Sequence, residues 1–534
     1  MKLYQGLTLR RLIYGLVSIF LFLYEILYLL MYDVWIEIDY FINSAVGLQF
    51  NWATLIFIII FLIMLLFFKQ LLKDKKSISK LEIIISFSTV VLFSCLLIFL
   101  FKELPLAINI IVFTIRENIK LIMLFMFAIA LMLVIKYKKL YKRKYFSLYL
   151  LTLFTSIYFI FTIVFNNDIK IVTGPYLHNP TENSISIGWI SNSKAVSWVE
   201  YGESEDFKNI IYSENNGLIK SNNTVNTITL NNLEPGKTYY YRIASKKIKK
   251  FLPYHVQYGN TFYSDTYQFT MFDSSKEEIS FLLISDMHEM TDLLKDLILS
   301  QDIDSYDFVA FSGDIFDNIR HERQLRNSFL DPVTKLFAKE KPLIFVRGNH
   351  ETRGSYAQEL VNYFNYPENK YYYSFKHGPA SFLILDTAED KNDDHKQYFN
   401  LADYDQYRST EQKWLEKEIS KEDDSTFKIA ISHIPLNEYK FAEVNDNVKK
   451  YQSEWIDTLD GYLDLLLSGH YHNNEIYDKD ANNPFPVILS GGEAISDNAV
   501  NYTMLRVEIS KNKIIIKFIN RSGEVINEKI FKNE

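Results

Sequence analysis

The 534-residue chain predicts a three-part architecture: an α-helical transmembrane region, an all-β sandwich, and an α/β unit built as a four-layer sandwich, two sheets flanked by helices. Three observations carry that prediction. Apolar runs of membrane-spanning length crowd residues 1–165, short alternating strands fill residues 169–273, and across residues 278–534 apolar strands repeatedly end in clusters of His, Asp and Asn. Length points the same way, since a chain of this size exceeds one ordinary core.

The averages conceal the division. The chain is 48% hydrophobic with a net charge of −7, yet residues 1–165 carry 17 Lys and Arg against 8 Asp and Glu, and residues 166–534 carry 40 against 56. The acidic part repels polyanions, and non-specific nucleic-acid binding needs neutralising Lys and Arg, so no nucleic-acid binding is expected. The single cysteine, Cys95, lies in an apolar run, which excludes disulfides, Cys-ligated zinc and a thiol nucleophile beyond residue 165. Any metal there must use His, Asp, Glu or Asn.

A helix that spans a bilayer needs about 20 apolar residues. Five stretches are expected to do so: Leu12 to Met31, Trp52 to Phe68, Ile83 to Phe101, Leu121 to Ile135 and Phe146 to Phe165. Leu104 to Ile115, interrupted by Pro105, reads as re-entrant or interfacial. The first run lacks a cleavage site and is expected to remain as an anchor. Lys2, Arg10 and Arg11 precede span one, five lysines from Lys69 to Lys80 follow span two, and six cations fill Lys136 to Lys144. These charges fall on alternate loops, which places the amino terminus in the cytoplasm and residue 166 onward outside. The expectation is a multi-pass protein of the cell membrane with the bilayer as partner. Only Glu25 lies well within a span, so anchoring is the expected role.

From Ile169 to Asp273, strands are expected over Ser184 to Ile190, Ala195 to Tyr201, Thr224 to Leu230, Tyr239 to Ala244 and Tyr267 to Phe272. The segment LNNLEPGKTYYYRI, with Pro235-Gly236 ahead of Tyr239, resembles the turn and tyrosine corner of fibronectin type III domains. With GPYL at Gly174 and VEYG at Val199, the region is similar to the amino-terminal sandwich of purple acid phosphatases. The only hinge on its carboxyl side is residues 273–278, with no linker long enough for free motion, so a domain that packs against the α/β unit is expected rather than a generic spacer.

Five motifs occur in order along that unit. ISFLLISDMHE runs a strand into Asp286 and His288, which at alternate positions of an extended chain point to one side. DFVAFSGDIFDN delivers Asp314 and Asp317, PLIFVRGNHE delivers Asn349 and His350, FKIAISHIPL leaves His433 at a strand end, and DLLLSGHYH leaves His470 and His472. Five strands thus present ligands at their carboxyl ends, where α/β folds place their sites. Mixed imidazole and oxygen donors suit Mn, Fe or Zn rather than Ca.

This order, D-x-H, GDxxD, GNHE, H and GHxH, resembles the calcineurin-like metallophosphoesterase superfamily. The resemblance implies two divalent transition metal ions bridged by one aspartate: Asp286, His288, Asp314 and His472 around the first, Asp314, Asn349, His433 and His470 around the second. It implies hydrolysis of phosphate mono- or diesters by attack of a bridging hydroxide, with His350 protonating or stabilising the leaving oxygen and Asp317 as its orienting carboxylate. Purple acid phosphatases carry D-x-G and a tyrosine where this chain has His288 and Asp317, so a colourless enzyme is expected. His178, His255, His377, His395 and His321 lie outside the ligand set, and Arg347 reads as structural. Two rival readings stand beside the enzyme: a non-catalytic metal-site binding or sensory membrane protein, and a lipid-handling membrane protein with an accessory hydrolase.

Overall fold

The computed structural model describes residues 168–481, 483–492 and 502–533. The five expected spans, with Glu25 and Cys95, lie outside the described residues. Among the described residues no helix is long and apolar enough to cross a membrane. The longest, Tyr404–Ile419, has 16 residues, short of the about 20 a bilayer requires, and the residues it buries include Arg408 and Glu411. The transmembrane part of the expected fold class is corrected accordingly, and with it the multi-pass localisation, the cytoplasmic amino terminus, the extracytoplasmic site and the bilayer partner.

The β-sandwich is organised by one strand, Ile185–Gly202. The sequence predicts two separate strands here, because Asn192, Ser193 and Lys194 read as a turn. They are instead a bulge: the pairing with Ser221–Leu230 shifts register between Ile190 and Ala195. The first half of the strand pairs with Ile171–His178 and the second half with Thr238–Leu252 and Asn209–Tyr212. A bulge bends a strand and increases its twist, so one continuous segment serves both faces of a core built on Ile187, Trp189, Val199, Tyr241 and Phe269. The Tyr239 hydroxyl accepts a hydrogen bond from the Glu234 backbone N–H at 3.1 Å. That bond ties the Pro235-Gly236 turn to the next strand, and Gly236 sits at φ +70°, in the left-handed region that glycine adopts without strain.

The α/β unit stacks two sheets. The first runs Val525–Lys532, Lys513–Asn520, Thr503–Ser510, Glu278–Ile284, Phe308–Ser312 and Leu343–Val346, and its last three strands are parallel. The second runs Tyr373–His377, Ala380–Ile384, Phe427–Ile431, Leu465–Ser468, Val487–Leu489 and Glu475–Tyr477, with Ala380–Ile384 through Val487–Leu489 parallel. Phe308–Ser312, Leu343–Val346 and Leu465–Ser468 are buried at every position, as their uninterrupted apolar sequences require of strands covered on both faces. Between the sheets Phe281 stacks on Phe308 at 4.6 Å, and Phe382 meets both rings edge-on. Helix Thr291–Leu299 covers the first sheet with Leu293, Leu294, Leu297 and Ile298. Helix Asp446–Leu459 packs Val448, Tyr451, Trp455, Ile456 and Leu459 into the core outside the second.

The sandwich joins the first sheet directly. His178 pairs in parallel with Leu343, and the Leu177 N–H donates to the Ala338 carbonyl at 2.7 Å. The Tyr176 hydroxyl reaches the Tyr363 carbonyl at 2.9 Å, the Tyr241 hydroxyl reaches that of Lys339 at 2.7 Å, and Tyr176 belongs to the core of the α/β unit.

Candidate metal centre

The parallel strands of both sheets deliver the site from their carboxyl ends. Ile284 leads to Asp286 and His288, Ser312 to Asp314, Val346 to Asn349, Ile431 to His433, and Ser468 to His470 and His472. All seven expected ligand residues come together at this edge. The ligand atoms of Asp286, His288 and His472 lie within 4.8 Å of one another, as do those of Asp314, His433 and His470. Asn349 joins the second group, with its Oδ1 2.9 Å from His433 Nε2.

The backbone pays for this convergence in strain. Asp286, His288, Asp314, His470 and His472 all sit at positive φ, between 44° and 75°, a region costly for residues other than glycine and concentrated at functional sites. Adjacent glycines make room. A Cβ on Gly313 would stand 2.7 Å from the Gly348 Cα, and one on Gly469 would stand 2.5 Å from Asp286 Oδ2.

The imidazole orientations fit cation binding. His288 Nε2 faces His472 Nε2 at 3.2 Å, and His472 Nε2 lies 3.5 Å from Asp286 Oδ1. His433 Nε2 lies 3.2 Å from Asp314 Oδ2, while its Nδ1 is held by the Ser312 carbonyl at 2.8 Å. The Nδ1 atoms of His470 and His472 are buried without a hydrogen-bond partner. Rings with one nitrogen tethered by a carbonyl or carboxylate and the other turned on carboxylates are what metal-ligating histidines look like.

Electrostatics divide the cluster. Burial raises Asp286 to about 6, with the Asp314 charge adding to the shift and His433 opposing it. Burial works against the His433 imidazolium, but Asp314 and Asp286 prevail and hold it up at about 10. Burial acts on Asp314 in the raising direction, and His433 and His350 overcome it, keeping its carboxyl well below the usual range. Burial pushes His470 down to about 3 and His472 to about 4.

Asp317 and His350 are placed beside the cluster, with His288, Asp317 and His350 forming a third group within 4.8 Å. The pairing differs from the expected one. The Asp317 carboxylate lies 2.8 Å from His288 Nδ1, and it is the Asp317 backbone carbonyl that meets His350 Nδ1, also at 2.8 Å. The side chain turns toward His288, and the main chain of the same residue orients His350. Burial lowers the His350 pKa, with Asp314 opposing the shift.

Sequence reasoning misses Glu351, the last residue of GNHE. Its buried carboxylate accepts from the backbone N–H groups of Gly348, Asp314, Ile315 and Phe316 at 2.8, 2.9, 2.8 and 3.1 Å. It fastens the loop carrying Asp314 to the loop carrying Asn349. Burial and the nearby Asp314 charge push it up to about 7. Its position inside a polar motif is the available signal. Tyr502, whose hydroxyl bonds the Ser285 carbonyl, gives none.

Three of the histidines outside the set have local roles. His321 Nδ1 accepts from the Gln324 N–H at the start of a helix, His395 does the same for Gln397, and His377 accepts from the Asp273 N–H. Arg347 donates to Asp386 at 2.6 Å and lies over the Tyr371 ring at 4.2 Å, behind the site.

Residues 279–474 match the calcineurin-like phosphoesterase family, and residues 175–271 match the purple acid phosphatase N-terminal domain. Among curated proteins the chain is similar to the serine/threonine-protein phosphatase CPPED1 of Homo sapiens, 26% identical over 155 residues that cover 27% of this chain and 46% of that protein. The Rattus norvegicus counterpart is 24% identical over 151 residues with the same coverage. The chain thus spans about half the length of the curated relatives it matches. Among solved structures, purple acid phosphatase PPD1 from yellow lupin (Lupinus luteus) seeds superposes with a TM-score of 0.51 at 16% identity, over 67% of this chain and 74% of that one. The chain therefore carries a segment, residues 279–474, that matches the calcineurin-like phosphoesterase family, preceded by a segment, residues 175–271, that matches the purple acid phosphatase N-terminal domain.

Proposed function

We propose that the α/β unit, residues 278–534, hydrolyses phosphate mono- or diesters at a two-metal centre, with the sandwich of residues 169–273 as its structural partner. Asp286, His288, Asp314 and His472 would hold one ion, and Asp314, Asn349, His433 and His470 the other. The observation that carries this reading is the convergence of seven donor residues from both sheets, with the His433 and His472 Nε2 atoms turned on carboxylates. Two ions of the Mn, Fe or Zn type would supply a nucleophile at neutral pH and neutralise charge on the phosphoryl oxygens.

The chain's own residues do the rest. His350 Nδ1 is committed to the Asp317 carbonyl, which leaves Nε2 to exchange a proton or hydrogen-bond with the leaving oxygen. His350 is only partly covered, its side chain 27% exposed, so an ester can approach it. The Asp317 carboxylate fixes the His288 ring from behind.

The test compares hydrolysis of an aryl phosphomonoester and the corresponding diester by the full chain and by His350→Ala, with bound metals counted in both. The expected outcome is a loss of about 10²- to 10⁴-fold in turnover with two ions retained. Full turnover in the variant would remove His350 from the chemistry, and a wild-type chain without metals would overturn the two-metal reading. The metal-loaded protein should also be colourless, since a carboxylate stands where purple acid phosphatases place a tyrosine; a strong visible charge-transfer band would contradict that ligand set.

A further inference from the structure

Behind His470 lies a carboxylate that belongs to none of the five motifs. Glu438 follows the His433 strand in a short 3₁₀ turn, Glu438–Lys440, and is 4% exposed. A buried carboxylate needs partners, and Glu438 has two donors. The Tyr471 hydroxyl reaches Oε1 at 2.7 Å, and Gln452 Nε2 reaches Oε2 at 2.8 Å. Gln452 is itself fully buried on helix Asp446–Leu459, so the carboxylate is anchored to a rigid element. Its remaining neighbour is His470, whose Nε2 lies 3.7 Å from Oε1.

The two nitrogens of His470 stand in different surroundings. Nε2 faces Glu438, and Nδ1 is buried with no hydrogen-bond partner. Two of the other ligand rings show the opposite choice: His288 and His433 tether Nδ1, to the Asp317 carboxylate and the Ser312 carbonyl, and present Nε2, while His472, whose Nδ1 also lacks a hydrogen-bond partner, turns Nε2 on Asp286. Metal-ligating histidines need such an outer tether to fix tautomer and ring orientation. We propose that Glu438 is the positioning residue for His470, drawing its Nε2–H outward so that Nδ1 is the donor to the cation held with Asp314 and His433. The assignment rests on the two-metal reading above.

The test is equilibrium dialysis of the metal-free full chain against Mn²⁺, counting ions per chain. Wild type should bind two. Glu438→Gln keeps the shape but loses the charge; it should weaken one of the two ions by about 10- to 100-fold and leave the other unchanged, with Glu438→Asp intermediate. In a His470→Ala background Glu438→Gln should change nothing further, whereas a merely structural role would persist there. Tyr471→Phe, which removes one donor and leaves the carboxylate in place, should weaken the same ion by a smaller factor and serves if Glu438→Gln does not fold. Unchanged binding in Tyr471→Phe together with unchanged binding or unfolding in Glu438→Gln, or equal weakening of both ions, overturns the assignment. A wild-type chain that binds fewer than two ions overturns the two-metal reading, and the assignment with it.

Discussion

His433 and His472 each face an aspartate across the same cluster, yet they live in different media. His433 is fully buried, beside Asp314 and Asn349, which are each 2% exposed. His472 is 23% exposed, and the Asp317 carboxylate behind its neighbour His288 is 62% exposed. The sealed half is fixed by groups that water cannot replace: the Ser312 carbonyl on His433 and the Glu351 cradle under Asp314. The open half relies on a carboxylate that water can reach. A centre built this way is expected to hold one ion firmly and exchange the other.

The largest effect that would sharpen this contrast is on pH. Without metal, His433 stays protonated up to about 10, whereas His472 stays neutral down to about 4. A cation must displace the proton on His433, since only the neutral imidazole ligates. Affinity at the sealed half should therefore rise about tenfold per pH unit, on the order of a thousandfold from pH 7 to about 10. The open half, where burial holds His472 down at about 4 and Asp286 up at about 6, should show the shallower slope. Mn²⁺ dialysis at stepped pH measures both slopes, and equal slopes would erase the distinction.

Next in size is Glu351→Ala. It leaves four backbone N–H groups without their acceptor, a loss on the order of 3 kcal/mol allowing for water entry. Urea unfolding should show it, and the ion held with Asp314 and His433 should be the first to dissociate. Wild-type stability would mean that the cradle adds no rigidity.

The smallest effect concerns the open half. Asp317→Asn should weaken the ion held with His288 and His472 by about 10- to 100-fold and leave the other untouched. A fall in turnover with both affinities intact would instead assign the carboxylate to His350.

Much of this is legible in the sequence. The apolar runs ending at Ile284, Ser312, Val346, Ile431 and Ser468 announce strands whose carboxyl ends carry ligands, and the Tyr239 corner announces the turn at Pro235-Gly236. What sequence spacing does not encode is side-chain direction. Asp317 lies three residues after Asp314, which brings its carboxylate within reach of two imidazoles without saying which one it meets. Glu438 has no motif around it, and its partners Gln452 and Tyr471 come from a distant helix and a distant loop. The polar run at Asn192 reads the same whether the chain turns or bulges. Helix Asp446–Leu459 escapes the sequence reading although Val448, Tyr451, Trp455 and Leu459 recur at helical spacing.

The pairing of His178 with Leu343 decides where this molecule can be cut. Residues 273–278 look like a convenient place to free the α/β unit, but severing the chain there would strip the neighbour from the Leu343–Val346 strand and bare the pocket that Tyr176 fills. A raw, apolar strand edge invites pairing with other copies. A fragment that keeps this pairing begins ahead of Ile171, and a shorter piece should behave as a sticky one.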